Sequence, residues 1–293
     1  MVVGELPLDG KIVVITGAGS GINLEFAKLA HERNAHVVIG DVRLTPEAEE
    51  WIATTKGSTS KVVYQQTDVT KWDQLHTLLD VSEKEFGDVP DLYVAGAGVF
   101  EPDWSNFWED PEVDGYKSID INVAHAIKFT RISIRKLLSK NKKGVILVVG
   151  SITGQTPNFT GPLYVATKHA ISGFVRSLAM LDEYMDIKVV CSAPGMVLTR
   201  LWTDRPDMSK NYKGIEQIAL GPKDIAESMV VLAGSSKYGG GTVLEVAKGQ
   251  PWREVPAYNA PPPLGVGATP EQSAADLRIL QILEKERGVA LKP

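Results

Sequence analysis

The sequence predicts an α/β protein: one doubly wound parallel sheet in a single domain, with an extension at the C-terminal end. Three observations carry this reading. Strand-length apolar runs alternate with segments of helical spacing over about residues 9–248, the βαβα order of a parallel sheet covered by helices. The first run passes through a glycine-rich turn directly into a helix. No apolar run approaches the length of a membrane span; the longest are strand-sized.

The first strand is expected at Lys11-Ile-Val-Val-Ile-Thr16. Gly17-Ala-Gly-Ser-Gly21 follows, then the helical spacing of 22–30. In a strand–turn–helix context, the backbone N–H groups of such a loop and the helix N-terminus converge on an anion, so the loop reads as a phosphate cradle. The second strand, His36-Val-Val-Ile-Gly-Asp41, ends twenty residues after Gly21. An acid at that distance suits the diol of an adenosine ribose and would repel a 2′-phosphate, which favours NAD over NADP; a turn or helix-capping role is the alternative. Arg43, two residues on, complicates the preference.

A helix from Pro46 leads to the strand 61–66 and to Asp68-Val69, where the acid either accepts from an adenine amino group or caps the helix that covers 72–86. Asp91-Leu-Tyr-Val-Ala-Gly-Ala-Gly98 is the fourth strand, and its glycines permit close approach of a flat ligand. Residues 100–116 are irregular and hold Trp104, Phe107 and Trp108, which either wall a pocket or cover surface. One long helix is expected over 118–140, with Asn122 in its first half, a polar residue that needs a partner. The apolar run 145–149 ends in Gly150 and places Ser151 at a strand tip, where ligands of open α/β sheets gather. A helix carries Tyr164 and Lys168 and runs on past Phe174, Leu178 and Leu181. A strand at 187–191 leads to Ala193-Pro-Gly195 and to a loop with Thr199, Leu201, Trp202, Met208 and Tyr212. A helix from Pro222 has proline suitably in its first turn, and 241–246 is the last strand. Residues 1–249 thus form the sheet domain. Residues 250–293 form an appendage: a stretch with six prolines over 251–270 reads as an extended arm, and a helix starts at Thr269-Pro270 with Leu277, Leu280 and Leu283 as its apolar stripe.

The totals exclude several functions. The chain has 293 residues, 43% of them hydrophobic, and a net charge of −5 with no dominant basic patch, which argues against a nucleic-acid partner. Cys191 is the single cysteine; it is expected to be a buried, inert thiol, and neither a disulfide nor a metal site is expected. The acidic start, without a long apolar core, does not read as a signal peptide. These features together predict a cytoplasmic protein that does not span a membrane.

Tyr164 and Lys168 stand at i and i+4, on one helix face. A phenol titrates near ~10, and an ammonium beside it stabilises the phenolate, so the pair suits proton exchange with an alcohol. Ser151 lies thirteen residues earlier. With these residues in view, the chain resembles the short-chain dehydrogenase/reductase family over nearly all but its last forty or so residues. Thr16-Gly-Ala-Gly-Ser-Gly-Ile-Asn23 resembles the family's cofactor loop, Thr-Gly-x-x-x-Gly-x-Gly, and Ser151, Tyr164 and Lys168 match its catalytic spacing. Asn122 falls where a fourth catalytic residue stands, and Pro194, Gly195 and Thr199 match its Pro-Gly segment.

The resemblance implies a Rossmann fold that binds NAD through Gly17, Gly19, Ser20, Gly21, Ile22, Asp41, Asp68, Val69, Ala95, Gly96, Ala97, Tyr164, Lys168, Pro194, Gly195, Val197 and Thr199. It implies Tyr164 as acid–base, Lys168 as its electrostatic partner and a contact of the nicotinamide ribose, Ser151 as the group that orients the substrate oxygen, and Asn122 as the holder of a water. Within the family, the aspartate-ended second strand is similar to that of NAD-dependent 15-hydroxyprostaglandin dehydrogenase-like members. Phe100, Trp104, Phe159, Met196, Leu201 and Trp202, with Ser151, suggest an apolar secondary alcohol or ketone, lipid-like or from secondary metabolism. A non-redox enzyme (dehydratase, epimerase or cyclase) and an NAD-binding redox sensor are the alternatives. A homodimer or homotetramer on the two long helices is implied. Two departures from the pattern stand out. Asn23 replaces the third loop glycine, so the helix is expected to pack slightly farther from the strand. Ala95-Gly96 replaces an Asn-Asn pair, with the expected loss of side-chain bonds that steady the central strand.

Overall fold

The computed structural model describes residues 2–110, 112, 114–204, 215–257 and 274–289. Met208, Tyr212 and the helix start expected at Thr269-Pro270 lie outside the described residues. Among those described, eight strands form one sheet in the order β3-β2-β1-β4-β5-β6-β7-β8. The strands are β1 (Ile12–Thr16), β2 (His36–Asp41), β3 (Val62–Gln66), β4 (Leu92–Ala95), β5 (Gly144–Val149), β6 (Ile187–Pro194), β7 (Val243–Val246) and β8 (Arg253–Glu254). All neighbours pair in parallel except β7 and β8. The order reverses between β1 and β4, and an open α/β sheet forms its ligand crevice at the strand tips beside such a reversal.

The alternation of side chains along each strand sorts the core into two layers. Val13 and Ile15 of β1 face a cluster with Phe26, Ile225 and Met229, while Val14 faces one with Leu75, Leu78, Phe129 and Ile171. Helix α1 (Gly21–Glu32) and the helix Pro222–Gly234 therefore cover one face. Helices α3 (Trp72–Phe86), α5 (His125–Ser139) and α6 (Pro162–Ser177) cover the other. Between α1 and α3 lies α2 (Pro46–Thr54), whose N-cap Thr45 accepts from Ala48 N.

The structure differs from the sequence reading in three places. The long helix expected over 118–140 is present as unbroken helical backbone over 117–139, but a π-helical turn (Asp120–Ala124) separates its first turn α4 (Lys117–Ile119) from α5. Only three residues precede the π turn, too few to show the change of phase that one extra residue introduces, so periodicity does not reveal it. The helix after Tyr164 ends at Ser177, and a separate turn α7 (Leu181–Met185) carries Leu181. The arm after Pro251 starts as β8, two polar residues paired antiparallel to β7 and held by an Arg253–Glu245 ion pair. Strand propensity could not mark so short an exposed edge.

The C-terminal helix Ala274–Glu286 packs on α5 of the same chain. Leu283 is buried there and Leu280 partly so, whereas Leu277 stays exposed. Glu286 receives Arg131 and, at 3.3 Å, Arg135, and Gly288 N donates to Leu138 O. Among the described residues no helix is long and apolar enough to cross a membrane.

Candidate active site

The tips of β1, β4, β5 and β6 open into one cleft of about 500 Å³. Its nucleotide-facing end is built from backbone. Gly17 adopts φ +73° and Gly21 φ +62°, both in the left-handed region that glycine enters without strain. A Cβ on Gly17 would sit 2.6 Å from Ala97 Cα, so the turn can pass the β4 tip only as glycine. Helix α1 starts here with Ser20 as N-cap, no side-chain capping bond and no acid in its first turn. Its leading N–H groups are thus left for an anion, and the macrodipole favours one. These features fit a dinucleotide pyrophosphate.

Asp41 stands at the end of β2 and lines the cleft. One carboxylate oxygen accepts from Gly19 N at 2.9 Å and the other from Arg43 N at 3.3 Å. Burial raises its pKa, against the pull of these backbone bonds. The carboxylate therefore shapes the loop and still keeps lone pairs for a diol. Asp68 lines the same end with Val69; it accepts from the N and Oγ1 of Thr70 and does not cap α3, whose N-cap is Lys71.

The two departures from the glycine pattern compensate one another. The Asn23 amide nitrogen donates to Gly17 O at 3.3 Å and to Gly96 O at 2.9 Å. A Cβ on Gly96 would lie 2.4 Å from that amide, so the side chain present on α1 fills the space left free on the β4 tip. The steadying bonds expected to be lost are supplied from the helix. Thr16 adds to them: its hydroxyl accepts from Gly96 N and lies 3.1 Å from the ring Nε2 of buried His125.

At the other end, Ser151 follows β5 and its Oγ accepts from Thr153 Oγ1 at 2.9 Å and Thr153 N at 3.2 Å. Tyr164 and Lys168 rise from the first turns of α6, with the Lys168 ammonium 5.3 Å from the Tyr164 ring centroid. Lys168 Nζ donates to Val149 O at 2.9 Å. Burial pushes the Tyr164 phenol up to about 12, with a hydrogen bond from Ser151 acting the other way. Burial pulls the Lys168 ammonium down to about 8, with Cys191 acting slightly against it. Cys191 is buried on β6, its thiol pushed up by burial to about 11.

Asn122 does not line the cleft but lies under it. Its amide oxygen accepts from Val99 N and its nitrogen donates to Val99 O, both at 2.9 Å, with Thr167 Oγ1 at 3.2 Å as a further acceptor. The π-turn brings it there, so the strand-tip loop and α6 are tied through one side chain.

Of the remaining residues singled out by sequence, Ser20, Ile22, Ala97, Pro194, Gly195, Val197 and Thr199 line the cleft. Gly19 lines an adjoining recess with Arg43 and Arg200, and Ala95 is buried beneath. Phe100, Met196 and Leu201 also line the cleft, the Phe100 ring 4.8 Å from that of Tyr164. Trp104 and Phe159 are not brought into it: they are 48% and 80% exposed, Phe159 against Trp108 at the rim. The Trp202 side chain lies outside the described residues. Ile152, Thr153, Asn158 and Val99 also line the cleft; they sit beside positions that the sequence marks but carry no pattern of their own.

Comparison with known proteins agrees with this geometry. A family model described as short chain dehydrogenase matches residues 11–210. A short-chain dehydrogenase/reductase, prx4, of Penicillium rubens is 32% identical over 199 residues, 66% of this chain and 56% of that protein. The chain thus spans little more than half the length of that relative. Among solved structures, a 3-ketoacyl-(acyl-carrier-protein) reductase from Brucella melitensis complexed with NADH superposes with a TM-score of 0.69 at 28% identity, over 83% of this chain and 98% of its own. An NADPH-dependent 3-quinuclidinone reductase from Rhodotorula rubra gives 0.69 at 25%, over 82% and 90%. The family model covers most of the chain, including the loop and the tyrosine–lysine pair, and so the chain belongs to the short chain dehydrogenase family.

Proposed function

We propose that the protein is a nicotinamide-dependent oxidoreductase that interconverts a secondary alcohol and a ketone on an apolar small molecule, with NAD(H) as its preferred cofactor. The observation that carries this reading is the meeting of Ser151, Tyr164 and Lys168 in one cleft with the uncapped start of α1. When bound, the cofactor supplies the hydride acceptor or donor and, oxidised, a positive charge beside the phenol. In this reading Tyr164 takes or gives the alcohol proton. Ser151 donates to the substrate oxygen and steadies the charge that develops on it. Lys168 holds the ribose and offsets the phenolate. Asn122 fixes the loop and α6 relative to one another. Phe100, Met196 and Leu201 exclude water from the reacting carbon and select apolar substrates.

Asp41 supports the NAD preference, because a carboxylate there repels a 2′-phosphate. Arg43 and Arg200, which line the cleft beside Asp41 as well as the adjoining recess, are the observation on the other side, but Arg200 is paired with Asp204 at 2.6 Å. Of the two solved relatives one is complexed with NADH and the other is NADPH-dependent, so relatedness does not choose between the cofactors. The deciding measurement is absorbance of the reduced nicotinamide with cyclohexanol, 2-octanol and their ketones, run with NAD(H) and with NADP(H). Turnover with NAD(H) at least about tenfold above NADP(H), lost on Asp41→Ala, is expected. A wild type that prefers NADPH refutes the role given to Asp41. Binding of NADH without turnover of any probe favours a sensor or a non-redox enzyme. Assembly through α5 and α6 into a dimer or tetramer belongs to the same proposal, and sedimentation of the full chain tests it.

A further inference from the structure

Glu101 is a buried acid that the proposed chemistry does not use. It lies in the loop after β4, 1% exposed, with φ +28°, a backbone conformation that non-glycine residues seldom hold without strain. Its side chain spans two elements. One carboxylate oxygen accepts from Tyr164 N at 2.9 Å, and the other accepts from Phe107 N at 3.1 Å. Two N–H donors on two separate oxygens suit the ionised, acceptor-only form.

The bond to Tyr164 N matters because of where that N–H stands. Helix α6 has Gly161 as N-cap, which has no side chain to cap with, and Pro162 at its first position. Gly161 N donates to Asn158 O, and Val165 N opens the helical series by donating to Gly161 O. Tyr164 N lies between them, one of the donors that a helix start leaves unpaired. A carboxylate brought from 63 residues away supplies the acceptor a local N-cap would provide, with the sign of charge that the helix dipole favours. The adjacent residue acts on the same tyrosine: Phe100 packs its ring on that of Tyr164. A Cβ on Gly161 would meet Phe100 Cζ at 2.9 Å, so the bare N-cap admits this contact. Glu101 also closes its own loop. Its carbonyl accepts from Asn106 Nδ2, and Ser105 Oγ accepts from Ser118 N at the start of α4.

We propose that Glu101 is a positioning residue for the acid–base tyrosine: it caps α6 at Tyr164 and fixes that turn to the loop 101–107 on the substrate side of the cleft. The inference rests on the reading of Tyr164 as acid–base for its catalytic consequence, but not for its structural one. Without the cap, the first turn of α6 frays and the phenol loses its fixed place over the substrate, while the nucleotide end, built on β1 and α1, is untouched.

The test compares the full chain with Glu101→Ala and Glu101→Gln by hydrogen exchange of the segment 162–168. NADH affinity is measured in parallel by fluorescence, and turnover with the panel alcohol that the wild type oxidises best. Exchange should rise about tenfold in Glu101→Ala and about threefold in Glu101→Gln, whose amide oxygen still accepts one bond but carries no charge. kcat should fall in the same order, by at least about tenfold for alanine, with the NADH dissociation constant within about twofold of wild type. Exchange in Glu101→Ala equal to wild type overturns the proposal. Where that variant does not fold, Glu101→Gln equal to wild type overturns it. A fall in kcat matched by an equal loss of NADH affinity also overturns it, because the effect is then general. Retained turnover in Tyr164→Phe would remove the catalytic reading of Tyr164 and leave the exchange result to judge the cap.

Discussion

The two walls of the cleft are made differently. The nucleotide wall, from β1, α1, β2 and the β4 tip, is shaped by backbone and by missing side chains. Added Cβ atoms on Gly17, Gly19 and Gly96 would lie 2.6, 2.2 and 2.4 Å from their nearest neighbours. The other wall, the substrate wall of the proposed function, is shaped by side chains on loops: Phe100 after β4, Met196 and Leu201 after β6, and a rim of exposed aromatics. The first wall tolerates almost no added atom. The second can be changed at many positions while the sheet stays as it is. A scaffold so divided keeps one cofactor and varies its substrate, in accord with the general rule that variable function resides on loops held by a rigid frame.

The largest expected effect on stability lies at the seam between the walls, at Lys168. Folding takes its ammonium out of water, and its pKa falls from 10.5 to about 8. The unfolded chain then binds the proton more tightly than the folded one, so the cost of burial is full below pH 8 and is relieved as the pH rises toward 10.5. Lys168→Met should gain stability over wild type at pH 7 by up to ~3 kcal/mol, and the gain should shrink across pH 8 to 10.5. Thermal melts at several pH values check this; a difference that stays flat shows that the amine is not desolvated as described.

A smaller effect sharpens the account of the nucleotide wall. Gly96→Ala forces a methyl group against the Asn23 amide and should cost ~2 kcal/mol with weaker NADH binding. In an Asn23→Gly background most of that cost should vanish, because the two sites share one space. Additive losses in denaturant melts would mean that Asn23 and Gly96 do not compensate each other.

The smallest effect belongs to the rim. Phe159→Ala should change stability by no more than ~0.5 kcal/mol, since the ring is largely in water. Its effect on kcat with small alcohols should fall within the error of the assay. A large loss with small alcohols would place Phe159 in the cleft and break the division between lining and rim.

Much of the nucleotide wall was legible in the sequence because its signals are local. The strand, the glycine turn and the helix of β1 and α1 follow one another directly, and Asp41 lies at a characteristic distance. Tyr164 and Lys168 share a face by helical spacing alone. What escaped acts across long separations. Glu101 reaches Tyr164 over 63 residues, and Asn23 reaches Gly96 over 73. Read alone, Asn23 and Gly96 each appeared as a loss, and only their contact shows the exchange. The π-turn at Asn122 and the two-residue β8 left no periodic trace. The substrate wall was the least legible part, since which aromatic turns inward depends on the path of residues 100–116 and not on composition: Phe100 enters the cleft, and Trp104, four residues on, does not.

In the proposed function Tyr164 moves the proton while the nucleotide wall binds the cofactor independently of it. Tyr164→Phe removes one oxygen and keeps the ring that packs on Phe100. Turnover of the best panel alcohol and the NADH dissociation constant, measured on the same preparation, test the claim directly. Turnover should fall by about 10³-fold or more while NADH binding stays within about twofold. Turnover retained within about tenfold of wild type would contradict it.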